Sequence, residues 1–216
     1  MDDKKREEKA IDILKKVHAI TVNDHIVLTT GRHSDKYLNL DSLMPYTEES
    51  SKIGQMFAEK YKDLAIDIVA GPAVGGIVLS QWVAYHLSHL KNKVILAVFT
   101  EKDSNKNQVL ERGFEKLVKG KNVLVVEDFT TTGGSVKSAA DSVSAAGGNI
   151  VEVCVIVNRD PQNVNTESIG YPFSSLDVLE VKSWIEEECP MCKQNVPINT
   201  ELGHGKEYLE GKNKPS

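Results

Sequence analysis

Two adjacent carboxylates end an apolar run and open a hydroxyl-rich turn in VLVVEDFTTTGGS, residues 123–135. Glu127 and Asp128 can accept hydrogen bonds from a pair of vicinal sugar hydroxyls. Thr130, Thr131, Thr132 and Ser135 add hydroxyls, while Gly133 and Gly134 allow backbone N–H groups to close around a phosphate at a helix start. An ordinary strand-to-helix turn leaves the two acids, the three threonines and the glycine pair unexplained. The chemistry expected is the holding of a ribose 5-phosphate group. Neither the Gly-Lys-Ser/Thr ending of a Walker A loop nor a G-x-G-x-x-G dinucleotide turn is present in it.

The elements around this turn follow a regular order. Apolar runs at 66–70, 94–99, 123–128 and 150–157 predict strands, and the stretches from GPAVGG (71–76) to about Leu90 and from 135 to 147 predict helices. That alternation predicts an α/β fold with a parallel sheet, helices on both faces and ligands beyond the carboxyl ends of the strands. Upstream, Ala10, Ile13, Leu14 and Val17 mark an amphipathic helix behind the mixed charges of residues 2–9. Residues 26–41 read as a hairpin or hood around Gly31-Arg32-His33-Ser34. Ile53, Phe57 and Tyr61 mark a helix over 47–61, with Thr47 as its N-cap. Residues 176–181 suggest a further strand, and the polar tail from Gly203 is expected to be mobile. The expected organisation is one domain: helix and hood to about residue 45, core over about 46–160, and a C-terminal extension over about 161–216.

Composition narrows the setting. With 216 residues, 40% hydrophobic and 26% charged, the chain can bury a sizeable core and is not disordered by composition. Its longest clean apolar run, Val94 to Phe99, falls far short of the roughly 20 residues that span a bilayer. Lys plus Arg at 26 against Asp plus Glu at 31 gives a net charge of −5, so no global attraction draws it to nucleic acid. A phosphate must be held by a local site. The first ten residues have no secretory pattern, and three cysteines are too few for a disulfide framework, so a reducing cytoplasmic location is expected. Cys154 reads as a small core residue. Cys189-Pro190-Met191-Cys192 has zinc-knuckle spacing without a second such pair. A structural turn is its simpler reading, with His204 a conceivable third ligand and a site between subunits a remote option.

The string VVEDFTTTGGS resembles the signature of the type I phosphoribosyltransferases, which bind 5-phosphoribosyl 1-diphosphate (PRPP) with magnesium. The resemblance implies that Glu127 and Asp128 hold the ribose hydroxyls and that Phe129 and Thr130 through Ser135 surround the 5-phosphate. GPAVGG matches the family's pyrophosphate loop, placing Ala73, Val74 and Gly75 on the diphosphate. Within the family the chain looks most like an orotate phosphoribosyltransferase. TTGRHSDKYLNLD (29–41) resembles its hood, FTEKDSNKNQVLERGFE (99–115) its mobile catalytic loop, VNRD (157–160) its substrate-binding Arg segment, and CPMCKQNVPIN a tail motif of one bacterial branch.

The resemblance implies the type I fold, with a small N-terminal hood and a C-terminal extension, and a homodimer that lends the mobile loop across. It implies transfer of the phosphoribosyl group from PRPP to orotate, with Arg159 on the orotate carboxylate and Thr131 facing the base. Arg159 alone would read as a surface cation. Asp128 becomes the acid nearest the reacting centre. Lys102 and Lys106, with Arg112 a further candidate, are the cations expected to meet the leaving diphosphate, and Mg²⁺ is expected to be held mainly through PRPP rather than by protein ligands. The loop departs from the family pattern at Glu101, Asn105 and Asn107. Two other readings stay open: a phosphoribosyltransferase for a purine or another base, and a PRPP-sensing regulator without catalysis. His33 could face substrate, face a partner subunit, or be a partly exposed structural histidine. Trp82 and Trp184 read as packing residues.

Overall fold

The computed structural model describes residues 8–212. The mixed charges before residue 8 and the last four residues of the tail lie outside them. In chain order the helices and strands are α1 (Ala10–Lys16), β1 (Ile20–Val27), β2 (His33–Leu38), α2 (Thr47–Tyr61), β3 (Ile68–Pro72), α3 (Gly75–Lys91), β4 (Leu96–Lys102) and β5 (Gln108–Leu110). There follow α4 (Phe114–Val118), β6 (Asn122–Thr130), α5 (Gly134–Ala145), β7 (Asn149–Asn158), α6 (Thr166–Ile169), β8 (Phe173–Val178), α7 (Pro190–Lys193) and α8 (Gly205–Lys212).

β1 and β2 pair antiparallel as a separate hood hairpin, and the remaining strands form one sheet in the order β5-β4-β3-β6-β7-β8. All neighbours in that sheet are parallel except β4 and β5. Because side chains alternate along a strand, β6 feeds two cores at once. Leu124 and Val126 pack with Ile53, Phe57, Val83 and Leu87 of α2 and α3, whereas Val123 and Val125 pack with Val136, Ala140 and Val143 of α5. A strand buried on both faces needs this continuous apolar run. Phe57 is fully buried, and trimming such a residue to Ala costs about 3–5 kcal/mol. Among the described residues no helix is long and apolar enough to cross a membrane.

Four local expectations are corrected. Thr47 is the first helical residue, and Tyr46 occupies the N-cap without a side-chain cap. His33 and Ser34 lie inside β2 rather than in the turn, because β1 begins at Ile20 and its pairing runs Val27 to His33. Within the tail, Gly205–Lys212 folds into α8, anchored by the Tyr208 hydroxyl donating to Glu186 Oε2 at 2.6 Å. The segment expected as a mobile loop is largely a hairpin: β5 pairs back on β4 through Thr100–Leu110 and Lys102–Gln108, and Ser138 and Ser142 of α5 accept from the Gln108 and Leu110 backbone N–H groups at 3.2 and 3.1 Å. Only residues 103–107 project from it as a turn, closed by Asp103 Oδ1, which accepts from the Asn105 and Asn107 N–H groups at 2.8 Å each.

Candidate active site

The alternation that buries β6 on both faces also separates its two acids. Continuing the pattern sends Glu127 toward α5 and Asp128 toward α3. Burial pushes the Glu127 carboxyl up to about 8, with the Asp128 charge adding to the rise, while the Ser135 hydroxyl and the Lys102 charge oppose it. Burial likewise pushes Asp128 up to about 6, opposed by the Phe129 N–H and reinforced by Asp41. Phe129 N–H donates to Asp128 Oδ1 at 2.6 Å. Two acids held at the end of a buried strand, both disfavoured as anions, are poised to take hydroxyl donors or a cation.

After the acids the chain turns sharply. Gly133 has φ +77°, a conformation costly for other residues, and a Cβ there would come within 2.6 Å of Ile169 Cδ1. Thr130 Oγ1 accepts from Gly133 N–H at 2.8 Å, which shapes the turn, and Thr131, Thr132, Gly134 and Ser135 stay exposed at the start of α5. These exposed N-terminal amides and hydroxyls are donors of the kind a phosphate takes.

The 71–76 turn lies directly against the acids. A Cβ on Gly75 would sit 2.6 Å from Asp128 Oδ2, so only glycine lets the two loops approach this closely. Ala73 N–H donates to Thr100 O at 2.8 Å, tying the turn to β4, and the Ala73–Val74 peptide is cis. Beside them a small pocket is lined by Leu40, Leu43, Gly75, Leu79, Trp82 and Asp128. Trp82, read from sequence as packing alone, forms part of this wall as well as packing against Gly54.

Arg159 leaves the end of β7 beside the signature turn, its N–H donating to Thr130 O at 2.9 Å. The guanidinium carbon stands 5.2 Å from the centroid of the Phe129 ring. Its Nε is buried without a hydrogen-bond partner among the described residues, and burial lowers its pKa, partly offset by Tyr37. A half-buried guanidinium over an aromatic ring, with its Nε unpartnered among the described residues, has the donors to take a planar carboxylate. Sequence reasoning missed the contributions of Phe129 as the platform and of Tyr37 and Asp41 as hood residues near the site. Tyr37 and Asp41 lie in the hood string, but nothing local says which way they face.

The cations divide differently from expectation. Lys102 and Lys106 are exposed, Lys102 close enough to Glu127 to bias its titration and Lys106 in the 103–107 turn at φ +66°. Arg112 is already taken: Nε and Nη2 donate to the two Glu101 carboxylate oxygens at 2.8 and 3.0 Å. Glu101, where the family pattern has a cation, thus neutralises another cation of the hairpin. Cys154 is buried in β7 as expected. His33 is wholly buried and pairs with His25, contrary to a role facing substrate or a partly exposed position. Cys189 and Cys192 gather around those two histidines rather than around His204, which is exposed.

A sheet of this order, with an acidic strand end feeding a phosphate-sized turn and a glycine turn beside it, defines the class of type I phosphoribosyltransferases. The phosphoribosyl transferase domain model matches residues 41–190. The orotate phosphoribosyltransferase of Caldanaerobacter subterraneus subsp. tengcongensis is 39% identical over 191 residues, covering 88% of this chain and 94% of that protein. That of Caldicellulosiruptor bescii is 36% identical over 188 residues, covering 87% and 93%. The Mycobacterium tuberculosis orotate phosphoribosyltransferase, solved in complex with PRPP, superposes with a TM-score of 0.61 at 25% identity, covering 79% of this chain and 96% of that one. The chain belongs to the orotate phosphoribosyltransferase family.

Proposed function

We infer that the protein transfers the 5-phosphoribosyl group of PRPP to orotate, yielding orotidine 5′-phosphate and pyrophosphate, a step of pyrimidine nucleotide synthesis. The observation that carries the choice of base is Arg159: a guanidinium stacked on Phe129, with a buried Nε that has no partner, suits the carboxylate that distinguishes orotate from a purine. The relatives that share the chain's length carry the same activity in their names.

In this reading Thr130 through Ser135 hold the 5-phosphate, Glu127 and Asp128 accept from the ribose hydroxyls, and Ala73, Val74 and Gly75 present backbone to the diphosphate. Arg159 fixes the orotate carboxylate and Thr131 lies beside the base. A ring nitrogen of orotate gives up its proton to solvent and bonds to the sugar C1 as the bond from C1 to the diphosphate oxygen breaks, its electron pair leaving with the diphosphate. Positive charge grows on the sugar and is met by Asp128, and negative charge grows on the departing diphosphate and is met by Lys102 and Lys106. The carboxyl groups of Glu127 and Asp128 at the strand end are hard-oxygen donors of the kind Mg²⁺ takes. Bound mainly through PRPP, the ion would supply charge neutralisation of the leaving group.

The proposal includes a homodimer in which the 103–107 turn reaches the neighbouring site, and a cytoplasmic location. Tyr85 and Leu90, apolar side chains left exposed on α3, support a surface that a second copy covers. Loss of orotate ultraviolet absorbance with PRPP and Mg²⁺, beside an Asp128→Asn control and a panel of purine and pyrimidine bases, tests the reading. Magnesium-dependent orotate loss that disappears in the control supports it. Turnover of a different base overturns the role of Arg159, and tight PRPP binding without turnover of any base supports the sensing alternative.

A further inference from the structure

Away from the acids and the signature turn, the hood and the C-terminal extension meet around four side chains that the transfer chemistry leaves unused. His25 of β1, His33 of β2, Cys189 at the N-cap of α7 and Cys192 within α7 point their ligating atoms at one spot, all within 4.8 Å of one another. His25 Nε2 lies 2.7 Å from His33 Nδ1 and 3.6 Å from each of the Cys189 and Cys192 Sγ atoms. Cys192 Sγ lies 3.3 Å from His33 Nδ1. A tetrahedral ion with metal–nitrogen bonds of about 2.0 Å and metal–sulfur bonds of about 2.3 Å separates its ligands by roughly 3.3–3.8 Å. The histidine pair is about 0.6 Å closer than that range, and the three sulfur–nitrogen distances of 3.3–3.6 Å fall within it.

Proton accounting accommodates a cation. His25 Nδ1 donates to Val196 O at 2.7 Å, so its Nε2 carries a lone pair and faces the cluster. Without an ion, His33 Nδ1–H would have to donate to that lone pair, leaving His33 Nε2 as a bare acceptor. That Nε2 is buried and has no hydrogen-bond partner among the described residues. With an ion, both inward nitrogens become ligands, and His33 Nε2 carries the proton beside the Tyr208 ring, which stands at 82° to the imidazole with centroids 5.1 Å apart. The His25–Val196 bond is the outer hydrogen bond that orients a metal-bound imidazole. Both histidines and Cys189 are at most 1% exposed, so the site is closed to substrate.

We propose that His25, His33, Cys189 and Cys192 bind one structural zinc ion. Two nitrogens and two thiolates in a closed tetrahedron are zinc chemistry, and a span of 4.8 Å leaves room for one ion. The ion fastens a two-stranded hairpin, marginal alone, to a segment with little regular structure of its own. Hydrogen bonds flank it on both sides: His33 and Trp184 exchange N–H···O bonds at 2.8 and 2.9 Å, and Asn199 N–H donates to His25 O at 2.8 Å. Neither the ligand pairs nor the fold subunits they join are near in sequence, so the ion closes the extension onto the hood that carries Tyr37 and Asp41.

The test is metal analysis of the untagged full chain, isolated without chelator. About one zinc per chain is expected, and Cys189→Ser or His33→Ala should reduce it at least tenfold while His204→Ala retains it. Replacement by Co²⁺ should produce thiolate-to-cobalt charge-transfer absorption and tetrahedral visible bands, and a mercurial that caps the thiols should release the zinc. Those readouts need wild-type protein only. Folded wild type with less than about a tenth of an equivalent of zinc and no cobalt–thiolate band overturns the site. So does a Cys189–Cys192 disulfide in freshly isolated protein, or loss of the metal on His204→Ala with normal circular dichroism.

Discussion

Gly75 and Asp128 face each other so closely that a Cβ on the glycine would stand 2.6 Å from the carboxylate Oδ2. The diphosphate turn and the acidic strand end are therefore one surface, and displacement of either is felt by the other. Gly75→Ala is expected to lower kcat/KM for PRPP by about 10- to 100-fold, because sub-ångström misplacement of a reacting group has costs of that order. The midpoint of thermal unfolding should change little. Steady-state kinetics beside a melting curve checks this, and wild-type kinetics in the variant would mean that Asp128 yields without consequence.

Asp128→Asn keeps the size and the contact with Gly75 but removes the negative charge. Turnover should fall by about 10²–10³-fold with unchanged circular dichroism, as expected for a group that stabilises developing charge. An unchanged kcat/KM removes the assignment.

The raised acids make stability depend on pH in a definite direction. Glu127 rises from an ordinary 4.5 to about 8 and Asp128 from 3.8 to about 6, so between those values the folded chain holds protons that the unfolded chain has released. Stability from this pair is full below about pH 4 and is lost as pH rises through 6 and then 8. In ligand-free protein, the melting temperature of wild type minus that of Glu127→Gln should fall between pH 5 and 8.5 (about the Glu127 titration window). A flat difference across that range contradicts the burial argument.

Arg159→Met separates binding from stability. Removing a half-buried cation whose Nε has no partner among the described residues relieves a desolvation cost, so the melting temperature should hold or rise. The kcat/KM for orotate should fall by about 10²–10³-fold, the loss expected for a charge-assisted bidentate contact, while PRPP affinity stays near wild type. Isothermal titration with PRPP alongside orotate kinetics distinguishes the two effects, and equal loss of both affinities would place Arg159 elsewhere in the mechanism.

Arg112 and Lys102 should differ although both are cations of the same hairpin. Arg112 is held by Glu101, an exposed pair worth little to stability, and Arg112→Ala should leave kcat within about twofold. Lys102→Ala should lower kcat by about tenfold or more, because its charge reaches the acidic strand end and is available to the leaving group. Comparable kinetics in the two variants would remove the distinction.

Much of this molecule is legible along the chain because the deciding interactions are local. VLVVED carries its own strand period, and TTTGGS carries the hydroxyls and the left-handed glycine of the turn. Apolar strands separated by helix-length segments imply a parallel sheet, and the carboxyl ends of its strands are where such a turn must lie. The hairpin at 99–115 was less legible. Its polar residues suggest a free loop, yet Gln-Val-Leu pairs with β4, since an edge strand needs only its backbone and one docking helix.

What tertiary structure alone decided is which distant residues meet. Alternation along β6 sends Glu127 and Asp128 to opposite faces, but only the packing of α3 brings Gly75 against Asp128. Arg159 reads as an ordinary cation until the parallel register of β6 and β7 places it over Phe129. Cys189 and Cys192 show the spacing of half a metal site, and the other half, His25 and His33, comes from strands at the far end of the chain. A sequence records spacing within one segment. The partner across a packed interface follows from burial and register summed over the whole fold, and no single segment contains it.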